Sequence, residues 1–164
     1  VAMDGFHLSN AVLDELGRGN RKGAPDTFDV EGYLTTLDRV RADGAPQVFA
    51  PAYRRDLHES VAAGSIVSGT GVVVTEGNYL ALETRGWGAA RERIDLLIHI
   101  DVPEEVLVLR LINRHEDFGK NPLAAGHWVR TVDLPNARLI ATSVHRCDEV
   151  WRNPKDEPDS DDAK

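Results

Sequence analysis

A chain of 164 residues, 41% hydrophobic and 28% charged, is long enough to bury the core of one globular domain. Acidic residues outnumber basic ones 27 to 19, a net charge of −8, which excludes a nonspecific nucleic-acid coat but not an anionic small substrate. The single cysteine, Cys147, excludes an internal disulfide framework; a reducing compartment, the cytoplasm, is the simplest expectation. No apolar run is long enough for a transmembrane helix and no signal peptide opens the sequence, so no membrane partner is expected.

Val1 to Met3 reads as the end of a strand, followed at once by Asp4-Gly5-Phe6-His7. Leu8, Val12, Leu13 and Leu16 recur at helical spacing and predict a short helix over 8–16. The stretch 17–28 carries too much Gly and Pro for a regular element. Asp29 is a predicted N-cap for a helix over about 30–42 that ends near Gly44. Residues 46–60 read as loop, with a short strand near Val48–Phe49. The run 72–76 (VVVTE) predicts a strand buried on both faces, and 94–101 (IDLLIHID) predicts a second. Pro103 opens a helix to about Glu116, with Asp101 as its expected cap. A helix from about 123 is interrupted or kinked at Pro135, and 136–144 resumes helical spacing. Glu149 to Trp151 form a last short strand, and 154–164 read as an acidic, disordered tail after a domain over 1–153. Strands alternating with helices predict an α/β sheet covered on both faces, with function at the carboxyl ends of strands.

Asp4 and Glu76 both sit at such ends. A carboxylate there can take a proton from an attacking hydroxyl or organise magnesium; it can also simply close an Asx-turn or cap a helix. Arg110 and Arg114 share a helical face, with His115 and Lys120 close behind. Those cations either clamp phosphoryl oxygens or form a solvated basic surface beside Glu105 and Glu116. Arg21-Lys22 and Tyr53-Arg54-Arg55 are two more basic points that could grip an anionic or polyhydroxylated substrate, with Asp26 and His7 available for its hydroxyls. The spacing of His and Cys excludes a zinc site, and no nucleophile elbow is present.

Asp4-Gly5-Phe6-His7-Leu8, then 21–29 (RKGAPDTFD), 50–55 (APAYRR) and 75–80 (TEGNYL) follow one another in an order that resembles the kinases related to uridine kinase, phosphoribulokinase and bacterial pantothenate kinase. Arg110-Leu111, Arg114-His115, Asp133 and Asn136-Ala137 extend the resemblance to about residue 150. It implies a P-loop NTPase-like, three-layer α/β/α parallel sheet and an ATP- and magnesium-dependent phosphotransferase acting on a hydroxyl of a small metabolite: a nucleoside, a sugar or a pantothenate-like compound. Asp4 and Glu76 are then the catalytic and metal-linked acids, and Arg110, Arg114 and Lys120 the lid cations that meet ATP. His7, Arg21, Lys22, Asp26, Tyr53, Arg54 and Tyr79 form the substrate side.

One departure is large. The phosphate loop of that family, G-x-x-x-x-G-K-S/T, does not occur; Gly17-Arg18-Gly19-Asn20 and Gly69-Thr70-Gly71 have the wrong spacing and context. The resemblance therefore implies a sheet missing its first, central strand and Walker A loop. The expectation is an N-terminally shortened chain with weak or no activity. The alternative is a non-catalytic metabolite-binding or structural oligomeric paralogue, with homodimerisation open.

Overall fold

The computed structural model describes residues 1–42, 47–68 and 71–153. Met3–Phe6 form a single 3-10 turn rather than a strand end, and the chain then enters helix α1, Asn10–Glu15, capped by the Ser9 hydroxyl, which accepts from Val12 N–H. Leu13 is the one side chain of α1 that is fully buried; Val12 and Leu16 stay 40% and 47% exposed, so the expected apolar face is only partly used. Short 3-10 turns at Gly19–Arg21 and Pro25–Thr27 carry the chain to helix α2, Val30–Arg41. Its cap is Asp29, as the sequence predicts: the carboxylate accepts from Gly32 N–H at 2.9 Å. Gly44, the expected end of α2, lies outside the described residues.

The first departure from the sequence reading follows. Residues 46–60 are not mostly loop: Val48–Arg54 form strand β1, which pairs antiparallel with β2, Glu59–Val67. The register slips between Ala50 and Ala52, around Pro51, which has no N–H to give to a ladder. This hairpin presents mixed, half-exposed residues, so its sequence lacks the clean alternation that marks a strand.

The second departure concerns 72–76. This run is extended but pairs only at its end, through a parallel bridge between Ala2 and Glu76. Met3 N–H donates to the Glu76 carbonyl at 2.9 Å and Glu76 N–H to the Val1 carbonyl at 3.2 Å. Val72 and Val74 are 94% and 74% exposed, so the run is not buried on both faces. No described strand lies against it on the other side.

Strand β3, Ile98–Asp101, is shorter than predicted and pairs in parallel with β4, Glu149–Arg152. Between them run α3, Glu104–Asp117, then α4, Pro122–Trp128, and α5, Leu134–Ala141. Asp101 does not cap α3; the N-cap is Pro103, and the Asp101 carbonyl instead accepts from Asn153 N–H. Pro135 does not stop the helix. A π turn over Val129–Asp133, with Leu134 N–H donating to the Val129 carbonyl, widens the backbone just before the proline. The tail at 154–164 lies outside the described residues.

The core is aromatic. Trp87, Tyr33, Tyr79 and Met3 are fully buried, with Phe6 and Phe28 nearly so. Phe28 meets Tyr79 and Trp87 edge-on at 5.8 and 5.9 Å, and Phe6 meets Tyr33 edge-on at 5.2 Å, the geometry that ring quadrupoles favour. The buried polar tips are satisfied: Trp87 Nε1 donates to the Pro25 carbonyl and the Tyr33 hydroxyl pairs with Thr75 Oγ1. Burial pushes the Tyr33 phenol up to about 12. This core sits directly beneath the turn that carries Asp4.

Candidate functional site

Asp4 is placed by close backbone approach. A Cβ on Gly5 would run into the Pro51 carbonyl of β1, and one on Gly77 would run into the Met3 side chain. These two glycines let the 3-10 turn, the hairpin and the end of the 72–76 run meet. Where they meet, Asp4, Glu76, Tyr53 and Arg55 line one cavity of about 390 Å³, with Pro51, Ala52 and Ser65 as its floor.

The electrostatics of this cavity are those of two like charges held together. Burial raises the Glu76 carboxyl above its ordinary range, and the Asp4 charge raises it further; the Val1 ammonium and then Arg55 act in the opposite direction. A cation placed between such carboxylates relieves both effects, and magnesium binds through one or two carboxylates plus substrate phosphates. The donor set thus fits magnesium, although no cluster of three metal-ligating side chains occurs among the described residues.

His7 packs between Phe28 and Tyr53, at 4.1 and 5.0 Å between ring centres, and its Nδ1 lies 2.8 Å from the Asp4 carbonyl. Burial lowers its pKa, so the ring stays neutral at physiological pH. Lys22 Nζ donates to Asn10 Oδ1 and to the His58 carbonyl, and stands 5.4 Å from the centre of the Tyr53 ring. Burial lowers the Lys22 pKa, and the charge of Glu59 partly restores it. His7, Lys22 and Tyr53 therefore form a wall beside Asp4.

The other expected substrate residues sit elsewhere. The Asp26 carboxylate is occupied by Arg21, at 2.5 and 2.9 Å, with Arg18 and Arg85 each 3.6 Å away. Burial alone would raise Asp26, but the Arg21 hydrogen bonds and charge hold it below its ordinary range. Asp26 and Arg21 thus brace the 17–28 loop. Arg54 forks onto Asp56 at 2.8 and 2.9 Å on an exposed turn. Tyr79 is fully buried, its hydroxyl donating to the Gly23 carbonyl at 2.5 Å.

Among the lid cations, Arg110 is half-buried on α3 and Arg114 exposed one turn later. Arg114 forms no ion pair among the described residues. Lys120 Nζ stands 5.2 Å from the centre of the Trp128 ring. His115 is fixed instead by Asp133 of the π turn, at 2.7 Å. The C-terminal end of α3 reaches the hairpin through Phe118, whose ring lies 5.2 Å from the Arg55 guanidinium carbon.

Two polar residues beside this site, Asn10 and Glu59, are absent from the sequence-based set, and Arg55, named there only as part of a basic point, is the arginine that reaches the cavity. Arg55 lines the cavity where Arg54 does not; it lies in the turn just beyond β1, so no strand pattern in the sequence separates it from Arg54. Glu59 accepts from Asn10 N–H at 2.9 Å through Oε1, while its Oε2 is buried without a hydrogen-bond partner. No local pattern marks Asn10 or Glu59, because they meet across 49 positions.

Short strands that include a parallel pair, helices that cross between them, and two acids gathered in one cavity mark an α/β protein of the P-loop kinase type. The comparisons agree. A crystal structure of a kinase-type protein from Silicibacter sp. TM1040, named for a fructose transport system, matches with TM-score 0.84 and 36% identity over 92% of this chain and 73% of its own. YFH7 of Saccharomyces cerevisiae, described as a circularly permuted P-loop kinase, matches in fold with TM-score 0.80 at 24% identity, covering 94% of this chain and 57% of that one. The ATP-dependent kinase-like protein notR' of Aspergillus versicolor is 34% identical over 82% of this chain and 84% of its own length. The chain belongs to this P-loop kinase-like family. It is also 30% identical to the pantothenate kinase of Chelativorans sp. (strain BNC1), over 93% of this chain but only 49% of that enzyme. The chain thus spans about half the length of the pantothenate kinases it matches. No family model matches it. No helix among the described residues is long and apolar enough to cross a membrane.

Proposed function

We propose that this chain carries the acceptor side of an ATP-dependent kinase for a small, hydroxyl-bearing metabolite. The observation that carries the reading is the joint placement of Asp4, Glu76, Tyr53 and Arg55 around one cavity, where the Asp4 turn, the hairpin and the end of the 72–76 run meet. Asp4 accepts the proton of the acceptor hydroxyl as its oxygen bonds to the γ-phosphorus of ATP; the bond from that phosphorus to the bridging oxygen breaks and ADP leaves. Asp4 and Glu76 are the residues that would hold magnesium, which when bound offsets phosphate charge. Tyr53, His7 and Lys22 orient the acceptor, whose ring or chain lies along the Tyr53 face. Arg110, Arg114 and Lys120 face the developing phosphoryl charge from α3 and the turn after it.

The names of the relatives point to two acceptor classes, a sugar such as fructose and a hydroxy acid such as pantothenate. These 164 residues contain no G-x-x-x-x-G-K-S/T segment, so by themselves they are expected to bind an acceptor while turning over little ATP. Calorimetry with fructose, uridine and pantothenate tests this. One of them should bind, and Asp4→Asn should weaken it about tenfold or more, the scale of a lost hydrogen bond to a charge. Failure of all three to bind, or equal binding by wild type and variant, contradicts the reading.

A further inference from the structure

The Arg55 side chain stands in an unusual electrostatic position. It shares the cavity with two carboxylates, Asp4 and Glu76, yet forms no ion pair within 4.0 Å among the described residues. Its neighbour Arg54 does the opposite and spends both ends of its fork on Asp56. The neighbour of the Arg55 guanidinium is an aromatic face, that of Phe118, at 5.2 Å. A stacked guanidinium keeps its in-plane N–H groups available for a planar or tetrahedral oxyanion. Phe118 in turn closes α3: its N–H donates to the Arg114 carbonyl at 3.2 Å. The same helix end therefore carries both Arg114 and the ring that orients Arg55.

Charge balance says what the cavity takes. The two carboxylates are balanced by the Arg55 guanidinium and the Val1 ammonium, which lines the same cavity, so the empty cavity offers a bare anion no net attraction. With a divalent cation on the carboxylates the balance becomes net positive, and the N–H groups of Arg55 then face an oxyanion. A phosphoryl group arriving with magnesium satisfies both halves of the site; a neutral hydroxyl compound uses only Asp4.

We infer that Arg55 is a further catalytic residue, a guanidinium that binds the oxygens of the transferred phosphoryl group from the acceptor wall, and that Phe118 is its positioning residue. Arg55 makes and breaks no covalent bond; its hydrogen bonds tighten as the phosphoryl charge shifts. Because Phe118 belongs to the end of α3, the approach of that helix and the placement of Arg55 are one movement. The inference rests on the kinase reading above.

The test is a titration of the chain with inorganic phosphate in the presence of magnesium, followed by NMR on the Gly5 and Gly77 amides and on the Arg55 Nε–H. Phosphate should move all three signals in wild type and should move none of them when magnesium is omitted. Arg55→Gln should weaken phosphate binding about tenfold or more. Arg55→Lys should recover only part, since a lysine supplies a point charge without a fork. Phe118→Ala should weaken it less and broaden the Arg55 signal. Arg41→Gln, which removes an exposed pair with Asp95, serves as the control and should change nothing. Equal phosphate affinity in wild type and Arg55→Gln, with the rest of the spectrum intact, overturns the role of Arg55 and leaves the kinase reading standing. Absence of any shift at Gly5 and Gly77 in wild type overturns the kinase reading itself.

Discussion

The two acids of the cavity, Asp4 and Glu76, are the residues whose behaviour follows most directly from their surroundings. Burial and the neighbouring Asp4 raise the Glu76 carboxyl, so the folded chain holds that proton more tightly than the unfolded one does. Ionising Glu76 therefore costs stability, which is present below the ordinary carboxylate range and lost as pH rises through the raised folded value. Glu76→Gln removes the cost. Thermal unfolding should show the variant melting above wild type at about pH 7, with the difference vanishing near pH 4, where both forms are neutral. A variant that melts lower at neutral pH would mean that the ionised carboxylate is compensated in the fold. At this scale the sequence was readable where position alone decides: Asp4 and Glu76 follow apolar runs, and their gathering in one cavity is what α/β topology implies. It was not readable where a partner decides. Asp26 looks available in sequence and is enclosed by Arg18, Arg21 and Arg85. Arg54 and Arg55 are adjacent and of one type, and only the structure separates them: Arg54 ends β1 and forks onto Asp56, whereas Arg55 lies in the turn beyond and lines the cavity.

Helices were legible as elements because their signals are local. Asp29 caps α2, and Pro103 and the two glutamates after it open α3 where expected. Asp29→Ala should cost about 1 kcal/mol in urea unfolding, with an unchanged slope, since it leaves Gly32 N–H without its acceptor. No loss of midpoint would mean that water replaces the carboxylate at no cost. The hairpin was illegible for a physical reason. Its strands are half-exposed and interrupted at Pro51, so neither an alternating pattern nor a continuous apolar run appears. The run 72–76 failed in the other direction. Its valines carry strong β propensity, but a strand needs neighbours, and among the described residues it has one bridge. Pro135 predicts an interruption or a kink; the helix continues past it, and the irregularity takes the form of a π turn over Val129–Asp133 just before the proline.

The fold as a whole acts by holding three separate segments at one point. Trp87, which sits in a 3-10 stretch without periodicity, fills the core under that point together with Phe28, Tyr33 and Tyr79. No pattern along the chain marks this cluster, because its members are brought together only by the packing of distant loops. Gly5 couples the core to the site: a methyl group there would push β1 away from the Asp4 turn. Gly5→Ala should therefore lower stability by about 1–3 kcal/mol and weaken acceptor binding together, where Asp29→Ala changes stability alone. Loss of stability without loss of binding would show that the hairpin is not needed to hold the cavity.

The central claim is that acceptor recognition lies between the Asp4 turn, the hairpin and Glu76. The direct measurement is an NMR titration of the chain with the metabolite that calorimetry selects, read at every backbone amide. The account predicts shifts at Gly5, Tyr53, Arg55 and Gly77, lost in Asp4→Asn. Shifts gathered instead in the groove of about 630 Å³ between α2 and the opposite side of the hairpin, around Thr35, Arg39 and Ala62, and retained in Asp4→Asn, would contradict it.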